Sequence, residues 1–186
     1  VKKSLMVVDM PYRTYQNKRQ ALTNARKILK ETKCEAVKLE GGFKIKSIVE
    51  YLIKNKIPVM GHLGLLPQSI KGKFKSKGKT EREKNKLISE SKLLESLGVF
   101  AIVLECIRGK TADLITKSIS IPTIGIGSSA HCDGQVLVTD DLVGLNSTNI
   151  KFVKKFVNIK KEINRGIKKY KLEVLKSSFP SKKYSY

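Results

Sequence analysis

Short apolar runs alternate with amphipathic stretches along the whole chain. Six runs rich in aliphatic and β-branched residues each end in small or polar residues: SLMVVDMP (4–11), CEAVKLEGG (34–42), IPVMGHLGL (57–65), VFAIVLECI (99–107), IPTIGIGSS (121–129) and GQVLVTDDL (134–142). Most of these runs are continuous rather than strictly alternating, which is typical of parallel strands covered on both faces. The pattern therefore predicts six strands of a parallel sheet.

Helical periods lie between the predicted strands. Stripes spaced three and four residues apart predict four helices, around Ala21–Leu29, Ile45–Ile53 and Leu87–Leu97 and within KTADLITKS (110–118). From residue 150 onward a further stripe has lysines on its opposite face and predicts C-terminal amphipathic helices over 150–176, with a tail at 177–186: Phe152, Phe156, Ile159, Ile163, Ile167 and Tyr170.

Strand–helix alternation of this kind indicates an α/β fold with a parallel sheet. Polar residues at the strand ends favour a (β/α)8 TIM barrel, in which catalytic groups lie at those ends. A nucleotide fold is less favoured, because no G-x-G-x-x-G or Walker sequence follows the first strand. A complete barrel runs to ~250 residues, so a single 186-residue domain with six strands is predicted to be an incomplete barrel.

Charge and cysteine content narrow the class of protein. The net charge of +22 comes mostly from lysines spread over every segment, denser at 71–79 and 151–186. Because no aromatic-plus-basic recognition motif accompanies them, a solvated lysine-rich surface is favoured over nucleic-acid binding. The three scattered cysteines favour a reducing cytoplasm over disulfides or a zinc site. No apolar run approaches the ~20 residues of a membrane helix.

Charged and polar side chains collect at the predicted strand ends: Asp9, Lys38 with Glu40, His62 and Glu105. Side chains alternate along a strand, so Lys38 and Glu40 share one face. On a barrel these groups would converge on one mouth. Carboxylates there suit Mg²⁺, which can polarise the carbonyl of an α-keto acid while another carboxylate removes a proton as general base.

Structural roles remain open for most of these residues. Asp9 could stabilise a turn before Met10-Pro11, Lys38 and Glu40 could form a structural ion pair, and His62 could be a loop histidine. Glu105 indicates function most strongly, because a buried carboxylate is costly unless it is paired or used.

Two further stretches near the strand ends have a chemical and a structural interpretation. Cys106 is expected to form part of the wall, because alternation sends it to the face opposite Glu105. Gly125, Gly127 and Ser128-Ser129 could form a phosphate-binding loop, as such loops do after late barrel strands, or could simply allow close backbone packing.

Several motifs together resemble the ketopantoate hydroxymethyltransferase family. The matching stretches follow the family's order and spacing: VVDMPYRTYQ, AVKLEGG, IPVMGHLGLLPQS, FAIVLECI and IPTIGIGSSAHCDGQVLVTDDLVGL. The resemblance spans essentially the whole chain, and GHLGLLPQS and CDGQVLV are its most specific parts.

The resemblance implies a (β/α)8 barrel that binds Mg²⁺ and 3-methyl-2-oxobutanoate, and that transfers a hydroxymethyl group from methylenetetrahydrofolate to give 2-dehydropantoate. By motif match, Asp9 corresponds to a residue that binds metal and substrate, Lys38 to a substrate-binding lysine and Glu40 to a metal ligand. Glu105 corresponds to the proton acceptor, and His62 to a histidine lining the pocket. The family also implies a ring-type homo-oligomer of decamer-like size, with no membrane partner.

The chain departs from the family pattern as well. Its first strand resembles the family's third, so a Gly-Asp-Ser motif that supplies another metal aspartate has no counterpart. Arg108 and Lys77 replace the usual proline and glutamine, and Thr139-Asp140-Asp141 replaces a pattern with histidine before the aspartate. These departures predict a fragment, or one part of a split enzyme, with poor activity alone. Alternatives are a basic nucleic-acid-binding protein and another Mg²⁺-dependent barrel lyase or aldolase acting on α-keto acids.

Overall fold

Six parallel strands form one sheet in the computed structural model, which describes residues 4–69, 75–147 and 150–186. Part of the basic stretch 71–79 lies outside those residues. The strands are β1 (Val7–Asp9), β2 (Ala36–Glu40), β3 (Val59–Gly64), β4 (Ala101–Glu105), β5 (Thr123–Ile126) and β6 (Gly134–Gln135). They pair in sequential order from β1 to β6.

One α-helix follows each of the first four strands, and two more follow β6. They are α1 (Lys18–Thr32), α2 (Lys46–Lys54), α3 (Glu81–Ser96), α4 (Gly109–Ser118), α5 (Thr139–Leu142) and α6 (Ile159–Leu175), with 3₁₀ turns at Phe43–Ile45 and Pro67–Ser69. Sequential parallel strands joined by helices are the arrangement of a (β/α) barrel rather than of a doubly wound sheet, whose strand order reverses at a switch point. The predicted incomplete barrel is confirmed.

The two faces of the sheet have different environments. Val37, Leu39, Ile102 and Leu104 belong to a large apolar core that also contains residues of the helices. A smaller cluster contains Met60, Ala101 and Val103, with Val7 and Ile124 packed against it. Because side chains alternate along each strand, Lys38, His62 and Glu105 share the side of this smaller cluster.

Two helices that flank the strand ends begin at capping residues. The Asn17 side chain accepts a hydrogen bond from Gln20 N at 2.9 Å at the start of α1, and Thr80 accepts one from Glu83 N at 3.2 Å at the start of α3. Glu83 in turn accepts from Lys79 N at 2.9 Å, and this bond holds the pKa of the Glu83 carboxyl below its ordinary value. Such caps satisfy N–H groups that the first helical turn leaves without partners.

The chain divides into two compact units, one running to Val136 and the other from Leu137 to Tyr186.

The predicted strand 134–142 is wrong beyond Gln135, because Thr139–Leu142 forms a short helix. Asp140 and Asp141 lie in its first turn, where negative charge interacts favourably with the helix dipole.

The predicted helical segment 150–176 is helical only over Ile159–Leu175. Asn158 precedes it, and its side chain accepts a hydrogen bond from Lys161 N at 3.0 Å. This cap starts the helix at Ile159 although the apolar spacing extends further back to Phe152. No helix in the described part of the chain is long and apolar enough to cross a membrane.

Gly64, the last residue of β3, provides a test of how tightly the strand ends pack. Its φ is +98°, and a Cβ at this position would lie 2.2 Å from the carbonyl oxygen of Glu105. That oxygen accepts a hydrogen bond from Leu65 N at 2.8 Å. Gly64→Ala is therefore expected to lower the free energy of unfolding by at least about 3 kcal/mol, since strained backbone and a backbone clash act together.

The matched control is Gly109→Ala at the start of α4, where a Cβ would meet no atom within 4 Å. We expect this variant to unfold within about 1 kcal/mol of the parent chain. Urea unfolding of the three proteins is the measurement, and equal stability of the two variants would contradict the packing described here.

Candidate active site

Four side chains form a continuous row across the C-terminal ends of β1 to β4. Lys38 Nζ lies 3.1 Å from Asp9 Oδ2 and 2.9 Å from His62 Nδ1. His62 Nε2 lies 3.2 Å from Glu105 Oε2. The parallel register pairs Asp9 with Lys38. His62 and Glu105 each lie two residues beyond the register partner of the preceding member of the row, and therefore on the same strand face.

Lys38 determines the protonation of His62. A lysine ammonium donates hydrogen bonds and accepts none, so the Nδ1 atom that it contacts must be the acceptor. We assign His62 on this ground as the neutral tautomer with its proton on Nε2, the atom that faces Glu105.

His62 Nε2 has no well-aligned hydrogen-bond partner among the described residues. Glu105 Oε2 is close enough for electrostatic attraction, yet the angle does not meet hydrogen-bond geometry. Because His62 is only 2% exposed, this N–H is a buried donor, and leaving such a donor unused costs free energy. A ligand oxygen placed beside Glu105 would be a suitable acceptor.

Glu40 is buried at the end of β2 and is held by the loop that follows β3. Both of its carboxylate oxygens accept from Gln68 N, at 3.2 and 3.4 Å. Burial raises the pKa of the Glu40 carboxyl above its ordinary value, while the Gln68 N–H and the charge of Lys38 oppose that rise. The structural alternative of an ion pair between Lys38 and Glu40 is not found, since Lys38 contacts Asp9 instead.

Gln68 and Tyr15 also belong to the site, although the sequence interpretation assigned them no role. Gln68 Nε2 donates to Met10 O at 3.0 Å, so this residue joins β3's loop to the end of β1. The Tyr15 hydroxyl accepts from Glu40 N at 3.4 Å, and burial raises the pKa of Tyr15 above its ordinary value. Both residues lie within stretches that resemble the family, Tyr15 in VVDMPYRTYQ and Gln68 in GHLGLLPQS. This resemblance was the sequence signal that could have identified them.

The carboxylates of Asp9 and Glu40 have the chemistry of a magnesium donor set. They end neighbouring strands, and hard oxygen donors are what Mg²⁺ prefers, with several coordination positions left to water. Only one oxygen of Asp9 contacts Lys38, and the Asp9 side chain is 57% exposed. Within the described residues no group of three or more His, Cys, Asp or Glu side chains is arranged to hold a metal ion. A metal at these strand ends would have Asp9 and Glu40 as its carboxylate ligands and would take its remaining ligands from water.

The loop after β5 favours the packing interpretation over a phosphate-binding loop. Ser128 Oγ donates to Leu104 O at 2.7 Å and accepts from Ile107 N at 3.1 Å. Ser129 Oγ donates to Asp113 and accepts from His131 N at 3.1 Å. Both hydroxyls therefore fasten the loop to the ends of neighbouring elements.

A cavity of about 670 Å³ opens beside Glu40. Its walls come from the loop after β1, the ends of β2 and β3, and α3, and include Tyr15, Gly42 and Leu63. The row of charged side chains and this cavity meet at Glu40, which belongs to the same strand face as Lys38 and also lines the cavity.

Comparison with known proteins identifies the family. The sequence model of the family described as ketopantoate hydroxymethyltransferase matches residues 1–182. The chain belongs to the ketopantoate hydroxymethyltransferase family. Family membership makes it a hydroxymethyltransferase and sets aside the alternative of a barrel lyase or aldolase.

Curated relatives support the same family. The chain is 60% identical to the 3-methyl-2-oxobutanoate hydroxymethyltransferase of Pelagibacter ubique over all of its own length and 72% of that protein. It is 47% identical to the enzyme of that name from Clostridium novyi and 44% identical to that from Enterococcus faecalis, covering 69% of each.

Among solved structures, a dihydrodipicolinate synthase matches 64% of this chain and 44% of its own chain, with a TM-score of 0.45 and 14% identity. An N-acetylneuraminate lyase from Mycoplasma synoviae matches with a TM-score of 0.44 and 12% identity, over 64% of this chain and 44% of that one.

All five residues predicted for the site lie at the ends of β1 to β4: Asp9, Lys38, Glu40, His62 and Glu105. Four of them form the row, and Glu40 lies beside it, held by Gln68. The roles that the family implies for them stay predictions.

Cys106 follows Glu105 at a sharp turn. The reactivity of its thiol distinguishes a structural residue in the pocket wall from a nucleophile. Its φ is +51°, and burial, followed by the charge of Glu105, raises the pKa of its thiol to about 11. At pH 8 only about one thiol in a thousand would be ionised, and the thiolate is the reactive form.

We therefore expect Cys106 to react very slowly with a disulfide reagent at pH 8 and faster as the pH approaches its pKa. The double variant Cys34→Ser/Cys132→Ser leaves Cys106 as the only thiol. The same protein unfolded in urea is the control and should react quickly. Fast stoichiometric labelling of the folded protein at neutral pH would show the thiol to be activated.

Proposed function

We propose that this chain supports formation of 2-dehydropantoate from 3-methyl-2-oxobutanoate, with methylenetetrahydrofolate as hydroxymethyl donor and Mg²⁺ as metal. The transfer adds the donor's methylene carbon and a water to the keto acid, and it releases tetrahydrofolate. The carbon beside the ketone loses a proton and forms the new carbon–carbon bond. The observation that carries the proposal is Glu105 in a row with the buried His62 N–H and the Lys38 cation.

Glu105 is the proposed general base. Its carboxylate is mostly buried, with a side chain 13% exposed, and it lies beside a neutral imidazole rather than a cation. A carboxylate at that position is within reach of a substrate carbon placed beside His62, and a positioned carboxylate can take a proton from carbon. The neighbouring His62 Nε2–H is available to donate to the keto-acid oxygen, and this would orient the substrate carbon towards Glu105.

Lys38 supplies positive charge for the anionic end of the keto acid. Its side chain is 14% exposed and already contacts Asp9. Asp9 and Glu40 would hold the Mg²⁺ ion. When bound there, the ion supplies Lewis acidity, which stabilises negative charge developing on a carbonyl oxygen.

The distribution of charge favours the enzyme over a nucleic-acid-binding protein. Acidic groups converge at the strand ends, while many lysines are exposed on helices, such as Lys27 on α1, Lys54 on α2 and Lys169 on α6. Exposed, scattered lysines are typical of a solvated surface.

The proposal also includes where the protein is located, how it assembles and how active this chain is by itself. All three cysteines are free and buried, which suits the predicted reducing cytoplasm. The ring-type homo-oligomer and the low turnover of the chain by itself stay predictions.

Deuterium exchange tests the proton-transfer step without the folate. The purified chain, Mg²⁺ and 3-methyl-2-oxobutanoate are mixed in D₂O, and loss of the proton beside the ketone is followed by NMR. We expect exchange above the rate in buffer with Mg²⁺ alone. Glu105→Gln should lower it by about 10²–10⁴-fold, because the general base is lost.

The control variant is Glu31→Gln on the surface of α1, where the side chain is 62% exposed. It should exchange at the rate of the parent chain. Exchange by Glu105→Gln at the parental rate, or none above background with the parent chain, would overturn the proposal.

A further inference from the structure

Gln68, in the loop that follows β3, contacts the ends of two neighbouring strands, yet the proposed mechanism gives it no role. Its backbone N–H donates to both carboxylate oxygens of Glu40 at the end of β2, at 3.2 and 3.4 Å. Its side-chain Nε2 donates to Met10 O, one residue beyond β1, at 3.0 Å. One residue of a third element thus joins the strand ends that carry Asp9 and Glu40.

The contact with Met10 is made at a well-fixed point of the backbone. Met10 is fully buried, and its N–H donates to Lys38 O at 3.0 Å. The residue is therefore held by β2 through its N–H and by Gln68 through its carbonyl oxygen. Because Asp9 directly precedes Met10, the backbone that carries the Asp9 carboxylate cannot move away from β2 without breaking these bonds.

The loop that presents Gln68 has a defined shape. It begins at Leu65, which is 2% exposed and donates its N–H to Glu105 O at 2.8 Å. A 3₁₀ turn then covers Pro67–Ser69. Proline restricts the backbone immediately before Gln68, so the two contacts of Gln68 start from a fixed position.

The Oε1 atom of Gln68 is buried and has no hydrogen-bond partner among the described residues. Met10 O can only accept, so the network places Nε2 towards it and leaves Oε1 as an acceptor. Leaving a buried acceptor without a donor costs free energy. The keto acid offers only carbonyl and carboxylate oxygens, which also accept, whereas a water molecule held by a cation can donate.

We propose that Gln68 is a positioning residue for the metal: it fixes the Asp9 and Glu40 strand ends relative to each other, and its Oε1 accepts a hydrogen bond from a water ligand of the ion. The inference rests on the proposed function for the identity of the ion. Groups that hydrogen-bond metal-binding carboxylates orient them, and their removal commonly lowers metal affinity by about 10–100-fold.

Binding of Mn²⁺, which takes the same oxygen ligands as Mg²⁺, tests the inference without substrate or turnover. The EPR signal of free Mn²⁺ is followed as the ion is titrated into the purified chain. Gln68→Met keeps the length of the side chain and removes both polar atoms, so we expect Kd to rise about tenfold.

The matched control is Gln135→Met. The Gln135 side chain also fastens a loop, since its Nε2 donates to Ser129 O at 2.7 Å after β5, and its loss should change Kd less than about twofold. Thermal unfolding shows whether each variant keeps its fold. Gln68→Asn keeps the amide but shortens the side chain, and it should weaken Mn²⁺ binding as Gln68→Met does.

Glu40→Gln shows which bound ion is being measured, because it removes a carboxylate at the strand ends. In that variant the further change Gln68→Met should alter Kd less than about twofold, since Gln68 acts through the same site. Equal Kd values for Gln68→Met and Gln135→Met, independent effects of Gln68→Met and Glu40→Gln, or no Mn²⁺ bound by the parent chain would each overturn the inference.

The deuterium-exchange assay separates this inference from the proposed function. Gln68→Met should raise the Mg²⁺ concentration that gives half-maximal exchange about tenfold and leave the rate at saturating Mg²⁺ within about twofold. Exchange that depends on Glu105, with Mn²⁺ binding that is independent of Gln68, would overturn this inference alone. Mn²⁺ binding that depends on Gln68, without exchange by the parent chain, would overturn the proposed function alone.

Discussion

The ammonium group of Lys38 is the interaction on which the candidate site depends. A lysine side chain only 14% exposed must be paired, because an uncompensated buried charge is costly. Asp9 on β1 and His62 on β3 provide that pairing, at 3.1 and 2.9 Å. One side chain on the middle strand thus joins the ends of three neighbouring strands.

The same contact defines the chemistry of the neighbouring groups. Because the ammonium occupies Nδ1 of His62, the imidazole proton lies on Nε2 and faces Glu105. Glu105 then lies beside a neutral N–H donor, while Glu40 is held beside the row by Gln68. Three carboxylates, an N–H donor and a cation therefore lie at adjacent strand ends, and these are the groups that the proposed proton abstraction from an α-keto acid would use.

Sequence reasoning located the strand ends well because parallel strands leave a simple signature. Each continuous apolar run ended near a polar residue, and parallel register brings such ends to one edge. It could not show which partner Lys38 takes, since alternation placed Lys38 and Glu40 on one face but says nothing of side chains on neighbouring strands. Gln68 and Tyr15 were not predicted as site residues for a similar reason. Their roles depend on loops that fold back onto Met10 and Glu40, and such contacts are not visible in the sequence. Apolar spacing also did not predict where β6 ends or where α6 begins. A short helix beginning at Thr139 replaces the rest of the predicted strand, and the Asn158 cap sets the first residue of α6.

The protonation of His62 tests the central claim most directly. The chain has two histidines, so ¹⁵N labelling of histidine in a His131→Gln variant leaves the His62 ring alone in a spectrum that correlates ring protons with both nitrogens. At pH 7.5 we predict a proton on Nε2 and an unprotonated, hydrogen-bond-accepting Nδ1, with that preference lost in Lys38→Met. A proton on Nδ1 in the Lys38 protein, or the same spectrum with and without Lys38, would contradict the account.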